Sequence, residues 1–170
     1  IRGPVEAAGI TENLAYAIGR AIAAESLEQG VKTVIVGRDG RNSGPELMRA
    51  LQAGLMQAGC DVVCIGLVSS PMLYFATKHL PYRTGVMLTA SHNPGHHNGF
   101  KTILNGTTLS TAGVQQLKER ILQQDLPQAE KPGVLREESI VAAYEQAVCE
   151  KIKLNRPLKV VVDAGNGMAG

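Results

Sequence analysis

The segment Leu88-Thr89-Ala90-Ser91-His92-Asn93-Pro94-Gly95-His96-His97-Asn98-Gly99-Phe100-Lys101 gathers the groups best able to do chemistry: an apolar run delivers a hydroxyl, imidazoles and amides into a turn. Asn93-Pro94-Gly95 and Asn98-Gly99 are turn formers that leave backbone N–H groups free to face an anion. The first chemistry to weigh is hydrolase-type nucleophilic catalysis, with Ser91 activated by His92. Neighbours in an extended segment point to opposite sides, so His92 reaches Ser91 only if the turn folds sharply back. The pattern Gly-x-Ser-x-Gly is also missing, since Thr89 and Asn93 stand where its glycines would be. A second chemistry is metal ligation by His92, His96 and His97, for which no clear third or fourth ligand exists. Exposed or turn-stabilising histidines are the plainer reading of His96 and His97. The third is a phosphoryl group on Ser91, which would carry a charge of about −1.5 to −2 and need cations or N–H donors around it. Lys101 starts the returning segment, and Arg38 and Arg41 follow the first strand at what should be the same sheet edge. A serine that simply caps a turn is the alternative to all three.

The elements that must position these groups follow from periodicity. Residues 11–29 place Leu14, Ala17, Ile18, Ala21 and Ile22 at helical spacing, with Thr11 as cap and Gly30 beyond the end. Thr33 to Val36 read as a strand buried on both faces, ending in the loop Gly37-Arg38-Asp39-Gly40-Arg41. Ser43 and Glu46 stand at capping-box spacing before a helix carrying Leu47, Met48, Leu51, Leu55 and Met56, closed by Gly59. Asp61 to Ile65 form a strand, Ser70-Pro71 opens a helix through about Lys78, and Thr84 to Ala90 form a third strand. Phe100 to Leu104 returns after too few residues for a helical crossover and should run antiparallel to the third strand. A helix after Ser110 turns Val114, Leu117 and Ile121 inward, and Asp125 to Val134 reads as a linker. Residues 137–153 carry a helical stripe of Ile140, Tyr144, Val148 and Ile152. Arg156 to Val162 then read as a strand entering Asp163-Ala164-Gly165-Asn166-Gly167.

The expected fold is therefore α/β: a three-layer α/β/α domain over residues 1–134, with a mixed four-stranded sheet, three strands parallel and the last antiparallel. In sheets of this kind ligands bind beyond the carboxyl ends of the parallel strands, which is where Ser91 falls. Residues 135–170 are expected to hold a linker helix and the start of a second, similar domain that is cut short. The sequence opens on Ile1, so the native N-terminus is expected to be missing and a removed leader is left open.

Composition narrows the partners. The 170 residues carry a formal charge of +2, with four tyrosines, two phenylalanines and no tryptophan. That gives neither a broad pull on nucleic acid or anionic lipid nor a platform for stacking bases. There is no apolar run long enough to span a membrane and no signal-peptide pattern, so cytoplasm is expected. Cys60, Cys64 and Cys149 are an odd set in a chain too large to need staples, and read as buried free thiols.

Taken together, Thr89-Ala90-Ser91-His92-Asn93-Pro94 and Asn98-Gly99-Phe100-Lys101 closely resemble the phosphoserine loop of the α-D-phosphohexomutases. Ile1-Arg2-Gly3 resembles the tail of that family's Gly-Ile-Arg-Gly signature. Gly37-Arg38-Asp39-Gly40-Arg41 is similar to its first βα loop, and Asp163-Ala164-Gly165-Asn166-Gly167 to the opening of its second domain. Phe100-Lys101 looks more like the phosphomannomutase/phosphoglucomutase branch than the phosphoglucosamine mutases. The resemblance implies interconversion of hexose 1-phosphate and hexose 6-phosphate through a phosphoserine and a hexose 1,6-bisphosphate. It implies that Ser91 carries the phosphoryl group and offers a phosphate oxygen to Mg²⁺, and that Lys101 handles protons or charge. Arg2 and His92 match positions that contact phosphate or substrate, while Asn93 shapes the loop. For Arg38 and Arg41, support of the cleft and plain surface pairing, with Asp39 as partner to either, stand side by side. The family's Asp-x-Asp-x-Asp magnesium loop and its sugar- and phosphate-reading loops do not occur in these residues, so they are expected to be inactive alone. A non-catalytic α/β interaction domain is the rival from another class; a phosphatase or kinase is the rival among enzymes.

Overall fold

The computed structural model describes residues 1–165 and 167. Alternating strands and helices build the layers: β1 (Arg2–Pro4), α1 (Glu12–Glu28), β2 (Thr33–Arg38), α2 (Gly44–Gln57), β3 (Asp61–Leu67), α3 (Ser70–His79), β4 (Thr84–Leu88), β5 (His97–Leu104), β6 (Thr107–Thr108), α4 (Thr111–Leu122), β7 (Leu135–Glu137) and α5 (Val141–Lys151). The central order β5-β4-β2-β3 has β2 parallel to both β3 and β4, and β5 antiparallel to β4, as expected. The described sheet has seven strands rather than four, because β1 pairs antiparallel with β5, β6 adds to β5, and β7 runs parallel to β3. These additions are two or three residues long and join through backbone bonds alone, so no side-chain period announces them.

Two apolar layers flank the sheet. On one face Ile18, Ile22, Leu47, Leu51, Leu55 and Leu117 pack against Val34, Val36, Val62 and Leu88. On the other, Leu73 and Ala76 of α3 meet Ile35, Val63 and Met87, with Ile140 sealing the edge. The alternate burial of Val34, Ile35 and Val36 into the two layers is why β2 reads as an unbroken apolar run. α1 and α2 cross backbone to backbone: a Cβ on Gly54 would stand 2.1 Å from the Tyr16 carbonyl oxygen, and one on Gly19 would stand 2.4 Å from that of Leu51. Only glycine permits that approach.

Local details depart from expectation in instructive ways. Thr11 caps α1 by accepting from the Leu14 N–H at 3.1 Å, as its spacing predicts. Ser43 precedes α2 but makes no capping bond; its hydroxyl instead accepts from Asn98 Nδ2 at 2.9 Å. The capping box is thus given up for a tertiary contact. Helix α3 is preceded by Ser69 as its cap residue and not by Ser70. The Asp125 to Val134 segment is fastened rather than loose: Arg20 donates to the Leu126 and Pro127 carbonyls, and the Ala129 and Gly133 N–H groups reach Gln57 O and Met56 O at 2.9 Å each. Helix α5 starts later than periodicity suggests, because 135–137 are taken by β7, and Ile152 is exposed at 58%. Residues 156–162 are not a strand: they find no ladder partner among the described residues, and a β conformation has nothing to close its hydrogen bonds against. The expected Asn166 turn position lies outside the described residues. Among the three free thiols Cys60 is buried, Cys64 half-buried and Cys149 exposed, so the buried reading holds fully only for Cys60.

Candidate active site

The site is built where β4 ends. Its regular ladder stops at Leu88, although the Thr89 N–H still reaches Gly99 O at 2.9 Å. Two residues later the backbone reverses, with Ser91 at φ +60, a left-handed conformation that costs a non-glycine residue about 1–3 kcal/mol. Both sides of that strained residue are held. The Ser91 N–H donates to Thr89 Oγ1 at 3.0 Å, and the Ser91 carbonyl accepts from Arg41 Nη2 at 2.9 Å. The reversal leaves the Ser91 side chain in solvent and brings its Oγ to 3.5 Å from His92 Nδ1. The two neighbours therefore do approach, against the expectation for an extended segment, but at the limit of a hydrogen bond.

Arg41 is the centre of the loop. Its Nε faces Asp39 Oδ2 at 3.2 Å, Nη1 donates to Pro94 O at 2.6 Å and His97 O at 3.0 Å, and Nη2 donates to Ser91 O and Asn93 O at 2.9 Å each. Asp39 in turn accepts from the Arg41 N–H at 3.2 Å and from Thr89 Oγ1 at 2.6 Å. The choice between cleft support and surface pairing thus divides: Arg41 pairs with Asp39 and grips the loop at once. Arg38 donates to the Asp39 carbonyl at 3.0 Å and makes no hydrogen bond to the Ser91 loop among the described residues.

The remaining groups come together on the β1–β5 side. Arg2 Nη1 donates to Asn93 Oδ1 at 3.2 Å, so Asn93 joins the β1 arginine to the loop. Arg2 and Lys101 line one cleft of about 290 Å³ with Tyr74, Thr102 and Thr108. Asn98 is fully buried and ties the loop to the start of α2 through Ser43, while its Oδ1 accepts the Gly99 N–H. The His96 and His97 ring centroids lie 4.4 Å apart with the rings tilted by 55°, and His97 Nδ1 is buried without a hydrogen-bond partner among the described residues. Among the described residues no three His, Cys, Asp or Glu side chains form a group able to hold a metal.

Thr89, Asn98 and Ser43 were not singled out from sequence as site residues. Thr89 had a local signal, since a threonine two residues before a turn often accepts its N–H. The Ser43–Asn98 contact spans 55 positions and had none.

Fold and loop define a three-layer α/β/α domain that presents an exposed serine at the carboxyl edge of a mostly parallel sheet, backed by an arginine-held turn. A family model described as phosphoglucomutase/phosphomannomutase, alpha/beta/alpha domain I, matches residues 1–128. The chain belongs to the phosphoglucomutase/phosphomannomutase family. It is 47% identical over 161 residues to a phosphomannomutase/phosphoglucomutase of Pseudomonas aeruginosa, covering 95% of this chain and 34% of that protein. To a phosphoglucomutase of Neisseria gonorrhoeae it is 44% identical, covering 95% and 35%. A crystal structure of a family protein from Burkholderia thailandensis superposes with a TM-score of 0.93 at 39% identity, over 100% of this chain and 38% of the other. The chain thus spans about a third of the length of the curated relatives it matches.

Proposed function

We propose that residues 1–170 are the phosphoryl-carrying part of a phosphohexomutase that interconverts hexose 1-phosphate and hexose 6-phosphate through a hexose 1,6-bisphosphate. The observation that carries this reading is Ser91 itself: its hydroxyl stands in solvent on a strained turn whose carbonyls are folded away onto Arg41. In the forward step a free sugar hydroxyl attacks the phosphorus and gives its proton to a nearby base, while the bond to Ser91 Oγ breaks with its electron pair left on Oγ, which takes up a proton. The bisphosphate then returns its other phosphoryl group to Ser91 Oγ, which restores the carrier. Positioning and charge neutralisation do most of the work in such a transfer. Lys101 and Arg2, which share one cleft, with Arg2 also reaching the loop through Asn93, are proposed to neutralise charge and hold phosphate, with Lys101 also handling the proton. His92, at the limit of hydrogen-bond reach of Ser91, is proposed to contact the transferred group.

The residues of this chain do not fit a Mg²⁺ site on their own. Hard Mg²⁺ takes about six oxygens in near-octahedral array. Asp39, the carboxylate of the β2–α2 loop, has both oxygens engaged by Arg41 and Thr89. A phosphate on Ser91 is proposed as one ligand, the others lying outside these residues, and no step is routed through the ion. We also propose that a second domain begins after residue 134, and that the protein works in the cytoplasm. No helix among the described residues is long and apolar enough to cross a membrane.

The test is intact-mass measurement of the full-length protein before and after incubation with a hexose 1,6-bisphosphate. A gain of one phosphoryl group that Ser91→Ala abolishes is the expected result. An unmodified wild-type serine would overturn the reading, and steady release of free phosphate or dependence on ATP would replace it with a phosphatase or a kinase.

A further inference from the structure

Arg41 is too fully occupied to be a substrate ligand. A guanidinium has five N–H donors, and in Arg41 they face five acceptors at 2.6 to 3.2 Å: one Asp39 oxygen and the carbonyls of Ser91, Asn93, Pro94 and His97. Its side chain is 12% exposed, and the adjacent Asp39 balances its charge. What remains is the effect of the grip on the loop. Every peptide bond described is trans, so each carbonyl and the following N–H point in opposite directions. Drawing Ser91 O and Pro94 O onto Arg41 therefore turns the N–H groups of His92 and Gly95 away from it, towards the solvent side where Ser91, His92 and Gly95 are exposed. Among the described residues neither N–H has a protein acceptor.

We infer that Arg41, seated by Asp39 and Thr89, is a positioning residue that aims the His92 and Gly95 N–H groups at the phosphoryl group of Ser91 and holds Ser91 in its left-handed turn. The inference rests on the phosphoryl-carrier reading of Ser91. Thr89 completes the device: its hydroxyl donates to Asp39 and accepts the Ser91 N–H, so one carboxylate braces both sides of the serine. Arg41 then acts on the reaction through backbone geometry and never touches the sugar.

Arg41→Lys in the full-length protein tests this, because it keeps the charge and replaces five fixed donors by three on a rotatable ammonium. Loading of Ser91 is followed by intact mass after addition of hexose 1,6-bisphosphate, and turnover by conversion of hexose 1-phosphate. The expected result is a kcat lower by about 10²-fold, a KM changed by less than about threefold, and slowed loading of Ser91. Thr89→Val, which removes one hydroxyl at nearly constant volume, is expected to act in the same direction by about tenfold, and it decides the matter alone if Arg41→Lys fails to fold. Wild-type turnover in the folded variants, or a loss confined to KM, overturns the positioning role while leaving Ser91 as carrier. A wild-type protein that never loads Ser91 overturns the functional reading and this inference together.

Discussion

Arg41 and Arg120 are both surrounded by acceptors, yet they serve opposite ends of the molecule's economy. Arg41 collects four neutral carbonyls from a single loop, with one carboxylate to balance it. Arg120, on α4, collects three carboxylates instead: Glu25 at 2.5 Å and Glu28 of α1, and Asp125 at 2.7 Å just beyond its own helix. Its pKa is raised, first by the hydrogen bond to Glu25. The first arginine fixes the shape of a strained turn and the second joins two helices by charge. The donors of Arg41 go to neutral carbonyls of one loop, whereas those of Arg120 go to carboxylates on either side of its helix.

If that division is right, damage near Arg41 should appear in turnover and damage near Arg120 in stability. The largest effect is expected for Lys101→Ala in the full-length protein, with kcat lowered by about 10²-fold or more and substrate affinity changed far less, as the charge-handling role proposed for it requires. An unchanged kcat would remove Lys101 from the charge-handling role. Arg120→Ala is expected to lower stability by about 2 kcal/mol, because the nearly buried Glu25 loses its cation, while kcat at a temperature where the protein is folded stays near wild type. Denaturant unfolding combined with steady-state kinetics checks this, and a large kcat loss without destabilisation would break the contrast between the two arginines.

The smallest effect concerns Cys60, buried in one of the two apolar layers. Burial pushes the Cys60 thiol up to about 12, so the folded chain keeps its proton after the unfolded chain has lost it. The unfolded state then binds fewer protons between about pH 9 and 12, and stability falls as pH rises through that window. Melting temperatures at pH 7.5 and pH 10, under reducing conditions, should therefore drop more for wild type than for Cys60→Ala. Equal drops would mean that Cys60 ionises without cost to the fold.

Much of this architecture was legible because each element carries its own period and punctuation. The Ile18 and Ile22 stripe, the Thr11 cap and the continuous apolar run of β2 are local signals, and the short β4–β5 connection made an antiparallel return the economical choice. Ser91 was legible as well, since its neighbours form a motif in sequence. The short strands β1, β6 and β7 were not, because backbone pairing leaves no mark on side-chain order. Nor was the use of Ser43, whose capping-box spacing with Glu46 promised a helix cap and whose hydroxyl went to Asn98 instead.

The sequence by itself determined the α/β alternation, the helix limits to within a few residues, and the place of Ser91 at a strand end, because those depend on residues close along the chain. Tertiary structure alone decided what holds that serine. Arg41 reaches carbonyls 50 to 56 positions away, and Thr89 finds Asp39 across 50. A hydrogen bond to a backbone carbonyl needs no particular residue at the acceptor, so the partner positions carry no compositional trace, and only the folded backbone brings the five acceptors around one guanidinium.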